Sequence, residues 1–290
     1  MKITLFIYLT QNRTTMKRNN TALLVIDAQN DFHDIPGAAL PVPGSVKDTE
    51  RVADFIKNHN PGTIFASQDS HYTLDISHPA WWLDTKGNQV SPFTLITADD
   101  VRNGKYVPRI DPSRSIKYVE DLETNKEFMH FIWPPHCLMG STGYAFLPVF
   151  MDAINEWMAN NLRWVNFITK GVNPYTEHFG IFRANVPIPQ DPNTQVNQGI
   201  FQALNNHDTI YLAGQARSHC VANSLRQLLQ IAPQLASKLV VLEDCMSDVP
   251  GLPADFYVAM NKIYDDAIAQ GVRTAKSSDV YSSSYAGATI

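Results

Sequence analysis

Thr209-Ile-Tyr-Leu-Ala-Gly-Gln-Ala-Arg-Ser-His-Cys-Val-Ala222 is the stretch on which the reading of this chain turns. Ile210 to Ala213 is a short apolar, β-rich run stopped by Gly214. From Val221 onward apolar residues recur at Val221, Leu225, Leu228, Leu229 and Ala232, which is helical spacing. Cys220 therefore stands where a buried strand hands over to a helix. There the positive end of the helix dipole and the unpaired backbone N–H groups favour a thiolate, which is the position of a nucleophile. A cysteine beside an apolar strand also serves as a small core residue, so its neighbours decide between the two readings.

Upstream, the same rhythm of strand and helix repeats. Thr21 to Ile26 is a continuous apolar run, as expected of a parallel strand covered on both faces, and Asp27 ends it. Ser45 to Asn58 has the spacing of an amphipathic helix, and Thr63 to Ser67 reads as a second strand. Phe146 to Leu162 is a further helix pattern, followed by a strand from Arg163 to Ile168 that ends at Thr169-Lys170-Gly171. Downstream of Cys220 come a strand at Lys238 to Leu242, a helix at Ala254 to Ala269 and an edge strand at Gly271 to Ala275. Alternating strands and helices predict an α/β fold in three layers, with a mostly parallel central sheet and helices on both faces. Carboxyl ends of such strands form the rim where open α/β sheets hold ligands. Asp27, Lys170 and Cys220 all fall on that rim, although an aspartate there also caps turns and a lysine is ordinarily surface charge.

A second group of residues has the character of metal ligands. Asp69 and His71 follow the second strand, with His78 seven residues further on. Asp-x-His on an extended chain points both side chains the same way, which suits a borderline divalent ion but also a plain hydrogen-bonded pair. Trp133-Pro134-Pro135-His136-Cys137 presents His136 from a stiff loop, and His136 could complete a three-ligand set with open positions. Cys137 has nothing local to activate it and reads as a structural thiol. Between these pieces, about residues 83–131, the alternation stops. That insertion is long, aromatic and rich in proline and glycine, and it reads as a packed lid over the sheet edge.

Composition limits the function. The 290 residues carry 23 basic and 28 acidic side chains without long single-sign blocks, which argues against a nucleic-acid surface or a polybasic membrane patch. No apolar run approaches the ~20 residues of a membrane span. Three cysteines are too few for a disulfide framework at this length, and favour a reducing, cytoplasmic setting. Ile3 to Leu9 is apolar like the start of a secretion signal. Met16 is an equally good beginning, and we read residues 1–20 as an extension, 21–276 as the folded unit and 277–290 as a flexible tail.

Five stretches in order resemble the isochorismatase-like cysteine hydrolases, and within them the nicotinamidase branch. They are Val25-Ile-Asp-Ala-Gln-Asn-Asp-Phe32, Asp69-Ser-His71, Trp133-Pro-Pro-His-Cys137, Thr169-Lys-Gly171 and Gly214-Gln-Ala-Arg-Ser-His-Cys-Val221. The resemblance implies the fold of those hydrolases and a triad of Asp27, Lys170 and Cys220. It implies that Asp27 moves the proton, Lys170 steadies the charges and Cys220 attacks a carboxamide carbonyl to give a thioester. It also implies a cis peptide before Ala216, so that the N–H groups of Ala216 and Cys220 form an oxyanion hole. One divalent metal ion, zinc, iron or manganese, would be held by Asp69, His71 and His136, with His78 a further candidate. Phe32 and Trp133 would line the pocket of an aromatic ring. The implied activity is hydrolysis of nicotinamide to nicotinate and ammonia, a step of NAD salvage. The alternatives are another carboxamide, an N-carbamoyl compound, or a catalytically silent ligand-binding relative. The implied partner is a small carboxamide, and a homo-oligomer is the common assembly of such enzymes. Compact nicotinamidases lack the 83–131 insertion, which points to a carboxamide larger than nicotinamide.

Overall fold

The computed structural model describes residues 20–280, so the expected extension lies almost wholly outside the described residues. In chain order the strands are β1 (Thr21–Ile26), β2 (Thr63–Asp69), β3 (Trp82–Asp84), β4 (Leu95–Ile96), β5 (Tyr106–Pro108), β6 (His130–Phe131), β7 (Asn166–Lys170), β8 (Thr209–Gly214), β9 (Leu239–Leu242) and β10 (Arg273–Ala275). The α-helices are α1 (Ser45–His59), α2 (Ala98–Arg102), α3 (Pro112–Thr124), α4 (Pro148–Asn161), α5 (Gln198–Asn205), α6 (Ala222–Ile231) and α7 (Ala254–Ala269).

Six strands form one parallel sheet in the order β10-β9-β8-β1-β2-β7. Alternation along β1 divides the core in two. Leu23 and Val25 face α1 and α4, packing with Phe55, Ile56, Phe150 and Trp157. Ala22, Leu24 and Ile26 face the other layer, built from Leu204, Leu225, Leu228 and Met260 of α5, α6 and α7. Both faces are thus covered, as the unbroken apolar runs require.

The insertion is folded in its own right. β3 pairs with β5 and β4 with β6, both antiparallel, and α2 and α3 close around a third apolar cluster of Ile76, Trp81, Trp82, Ile96, Val119, Leu122 and Ile132. α5 lies in a stretch where no helix was expected. The tail also departs from expectation at its beginning. Residues 277–280 are helical, and Ser277 is buried with its hydroxyl donating to Asp244 at 2.8 Å, while the rest of the tail lies outside the described residues. No helix among the described residues is long and apolar enough to cross a membrane.

Candidate active site

The site stands at the carboxyl ends of four neighbouring strands, β8, β1, β2 and β7. Each contributes one group: Cys220 after β8, Asp27 after β1, Asp69 at the end of β2 and Lys170 at the end of β7, where Asp69 and Lys170 are register partners. The turn after β8 needs glycine. Gly214 has φ +121°, and a Cβ there would collide with the backbone of Ile26. The peptide bond Gln215–Ala216 is cis, the isomer expected before Ala216, and the Ala216 N–H has no hydrogen-bond acceptor among the described residues. One π-helical turn, Arg217–Val221, then carries Cys220 into α6.

Lys170 is the hub. Its Nζ lies 2.9 Å from Asp27 Oδ2, 2.9 Å from Asp69 Oδ1 and 3.6 Å from Cys220 Sγ, with all four residues buried. Burial alone would lower the Lys170 pKa, but Asp27 and Asp69 outweigh it and hold it well above the usual lysine value. For Asp69, burial pushes upward and Lys170 with His71 prevails, keeping its carboxyl well below the ordinary range. Burial raises Asp27, and Lys170 only partly offsets it.

Cys220 departs from the sequence expectation. Its pKa is raised well above that of a free thiol, first by burial and then by Asp27 and Asp69, against the pull of Lys170. The helix end and the lysine favour thiolate, but two buried carboxylates already balance that lysine. The resting group is therefore a thiol beside a carboxylate of raised pKa, a pair suited to proton transfer during attack rather than before it.

The ligand-type residues converge as well. Ligand atoms of Asp69, His71 and His136 lie within 4.8 Å of one another. His71 Nδ1 is 3.1 Å from Asp75 Oδ2, His78 Nδ1 donates to the Tyr72 carbonyl at 2.9 Å, and His136 Nδ1 donates to the Pro134 carbonyl at 2.9 Å. Fixing Nδ1 by an acceptor leaves Nε2 as the coordinating atom, the arrangement typical of metal-binding histidines. The three rings lie 4.7 to 5.5 Å apart, and His71 and His78 each bury an Nε2 that has no hydrogen-bond partner. Burial lowers His78 to about 3, which keeps it a neutral base. Its nitrogen is not part of the close three-residue cluster, so His78 stands at the edge of the set. These donors fit a borderline divalent cation.

Next to both groups is a small cavity of ≈ 20 Å³ lined by Phe32, Leu40, Asp69, Trp133, His136, Phe179, Ala216, His219, Cys220 and Val249. Phe32 and Trp133 both stand in its wall.

No family model matches the chain, and no curated protein sequence matches it. Solved structures do. Yeast nicotinamidase Pnc1p bound to the inhibitor nicotinaldehyde superposes with a TM-score of 0.58 at 18% identity, covering 88% of this chain and 99% of that one. An Acinetobacter baumanii nicotinamidase/pyrazinamidase gives 0.58 at 20% identity over 91% and 99%. A Pyrococcus horikoshii pyrazinamidase in complex with zinc gives 0.50 at 17% over 89% and 99%. The chain has the nicotinamidase fold.

Within that fold, four residues escaped the sequence reading. Ser67 Oγ donates to Asp27 Oδ1 at 2.6 Å and accepts from the Asp27 N–H at 3.1 Å, fixing the carboxylate. Gln29 accepts from the Asp69 N–H at 2.7 Å and donates to the Asp69 carbonyl at 2.9 Å, fixing the end of β2. Glu177 is buried with Oε1 3.9 Å from His71 Nε2; burial raises its pKa and His71 partly restrains it. His219 lines the cavity. A polar residue inside an apolar strand run was the available signal for Ser67. Glu177 belongs to the polar and aromatic turn after Lys170, where position alone gave no role.

Proposed function

We propose that this chain is a cysteine amidohydrolase of the nicotinamidase branch, and that its first substrate is nicotinamide. The observation that carries this reading is Lys170 Nζ held among Asp27, Asp69 and Cys220 at 2.9, 2.9 and 3.6 Å, beside a cavity walled by aromatic rings. As Cys220 Sγ bonds to the carboxamide carbon, the S–H proton passes to Asp27. The resulting oxyanion would accept hydrogen bonds from the Ala216 and Cys220 N–H groups, worth about 3 to 4 kcal/mol per donor. Asp27 returns the proton to nitrogen as the C–N bond breaks and ammonia leaves. Water then attacks the thioester, Asp27 takes its proton, and the acid departs as that proton goes back to sulfur. Lys170 stays charged throughout and offsets the negative charge that moves between Asp27 and Sγ.

Asp69, His71 and His136 would hold one divalent ion, zinc, iron or manganese, with His78 beside them; when bound it supplies a Lewis acid for a ring nitrogen. Phe32, Trp133 and Phe179 suit a flat ring. A cavity of ≈ 20 Å³ holds little more than one water molecule, so the ring enters by parting these walls. A larger carboxamide is the second reading. It is favoured by an apolar groove of ≈ 460 Å³ lined by Phe128, Phe131, Phe256 and Met260, whose Phe128 and Phe256 rings pack against His219 of the cavity wall. The reading extends to a cytoplasmic enzyme of pyridine nucleotide salvage, assembled as a homo-oligomer.

Ammonia release from nicotinamide by metal-replete protein, with Cys220→Ala beside it, tests the reading. Release that disappears in the variant supports substrate class and nucleophile together. No release from nicotinamide or from any aromatic carboxamide refutes it, and release that survives the substitution refutes the nucleophile.

A further inference from the structure

His219 precedes Cys220 and is 5% exposed. Its ring is boxed by aromatics: stacked on Phe256 at 5.1 Å, edge-on to Trp133 at 5.2 Å, and tilted against Phe179 at 5.8 Å, with Phe128 at 6.0 Å. Burial in that box lowers its pKa to about 3, so the imidazole is neutral and carries one N–H.

Which nitrogen carries it follows from Ser218. The Ser218 hydroxyl oxygen accepts from the Val249 N–H at 3.0 Å and lies 2.9 Å from His219 Nδ1. A hydroxyl has a single hydrogen to give. Its sole acceptor among the described residues is Nδ1, so the hydroxyl donates there and the ring proton resides on Nε2. His219 Nε2 is buried and has no hydrogen-bond partner, and the rings around it offer no lone pair. The same ring lines the cavity that holds Cys220, Ala216 and His136. Under the amidohydrolase reading, the carboxamide oxygen goes to the Ala216 and Cys220 N–H groups and one ring nitrogen goes to the metal set. The Nε2–H of His219 is a further fixed donor that neither interaction uses.

We infer that His219 Nε2–H forms a substrate subsite that selects aromatic carboxamides bearing one more hydrogen-bond acceptor, a second ring nitrogen or a ring hydroxyl or carbonyl oxygen. The inference rests on the amidohydrolase reading for its substrate class. Its physical basis is that a buried donor left unpaired is costly, so a ligand that pairs it is favoured over an isostere that does not.

The test compares kcat/KM for matched amides, pyrazinamide against nicotinamide and 5-hydroxynicotinamide against 5-methylnicotinamide, in wild type, H219F and H219Q. Comparing each ratio between wild type and variant cancels the intrinsic reactivity of the amides. In at least one pair, H219F should reduce the preference for the acceptor-bearing member by about tenfold, and H219Q, which keeps a donor, should retain part of it. S218A leaves the ring but frees its tautomer, and gives the same reading should H219F fold poorly. Equal losses on both members of every pair would make His219 a packing residue and overturn the inference. Nitrogen-15 NMR of the histidine rings in the intact protein decides independently of turnover. A proton on Nε2 of His219 supports the buried donor even where no amide is hydrolysed and the amidohydrolase reading fails; a proton on Nδ1 overturns the inference.

Discussion

Replacing Lys170 by methionine keeps most of the side-chain volume and removes one charge from a place where charge is scarce. Lys170 Nζ is 2.9 Å from a carboxylate oxygen of Asp27 and 2.9 Å from one of Asp69, and the three side chains are 1%, 0% and 3% exposed. At an effective dielectric constant of ~20, each contact corresponds to about 6 kcal/mol of Coulomb attraction before desolvation is charged against it. What the variant loses is the net cost of stranding buried carboxylates, about 3 to 5 kcal/mol. Asp27, Asp69 and Cys220 have ligand atoms within 4.8 Å of one another, so the two carboxylates cannot both stay ionised cheaply, and the folded variant takes up a proton. The sign follows from linkage. A carboxyl whose folded pKa rises above its unfolded value binds more protons folded than unfolded, so stability falls as pH rises through that window.

The measurement is urea unfolding of chelator-treated wild type and K170M at pH 5.5 and pH 8. The stability difference between them should be about 3 to 5 kcal/mol at pH 8, shrinking on acidification by up to about 1.4 kcal/mol per pH unit within the window. Reading the difference cancels titrations common to both proteins. D27N/K170M should recover part of the loss at pH 8. A loss that is absent, or the same at both pH values, would refute the account of Lys170 as the counter-ion of two buried carboxylates.

Three further outcomes follow from the geometry. S67A removes the 2.6 Å hydrogen bond to Asp27 and should lower kcat about tenfold with KM nearly unchanged; a change confined to KM would contradict a role in fixing the base. H71A should abolish stoichiometric metal retention after dialysis, read by elemental analysis, whereas H78A should only weaken it; equal retention by H71A and wild type would remove His71 from the ligand set. G214A forces a Cβ into the Ile26 backbone at φ +121° and should lower stability by about 3 kcal/mol or more, seen as a drop in Tm, while an unchanged Tm would show that the β1 and β8 ends can separate freely.

Central strands were the most legible part of the fold because burial on both faces writes them as unbroken apolar runs. β1 and β8 are read almost residue for residue. β7 was read three residues early, at its start, and the cause is its place at the sheet edge. Asn166, Phe167 and Thr169 are exposed there, so the apolar run is broken and Trp164, 84% exposed, looks like strand when it precedes it. α5 was missed because its eight residues make only about two turns, with Ile200, Phe201 and Leu204 its only buried side chains, and its cap is an asparagine in an Asn-rich, Gln-rich loop. The candidate site residues Asp27, Asp69, Lys170 and Cys220 stood out because each lies at or past the carboxyl end of a strand. The residues that orient them did not, since Ser67 and Gln29 act through pairings 40 residues away in sequence. Burial also misled the reading of Cys220. A helix end is visible in a sequence, but two carboxylates arriving from other strands are not.

Those carboxylates also join what the sequence presented as two groups. Asp69 spends one oxygen on Lys170, Oδ1 at 2.9 Å, and the other on the histidines, Oδ2 at 3.2 Å from His71 and 3.8 Å from His136. A single side chain thus belongs both to the hub around the thiol and to the ligand set. Gln29 fixes its backbone from both sides, and Gly171 must be a glycine partly because a Cβ there would stand 2.9 Å from Asp69 Oδ1. Because β2 lies between β1 and β7, a shift of Asp69 moves Lys170 relative to Asp27 as well as the histidine cluster. Under the proposed amidohydrolase reading, nucleophile and ring anchor would therefore be held at a fixed offset by one strand end. That offset ties the position of a substrate's ring to the position of its carboxamide, which is how this arrangement would select among amides that share the same reactive group.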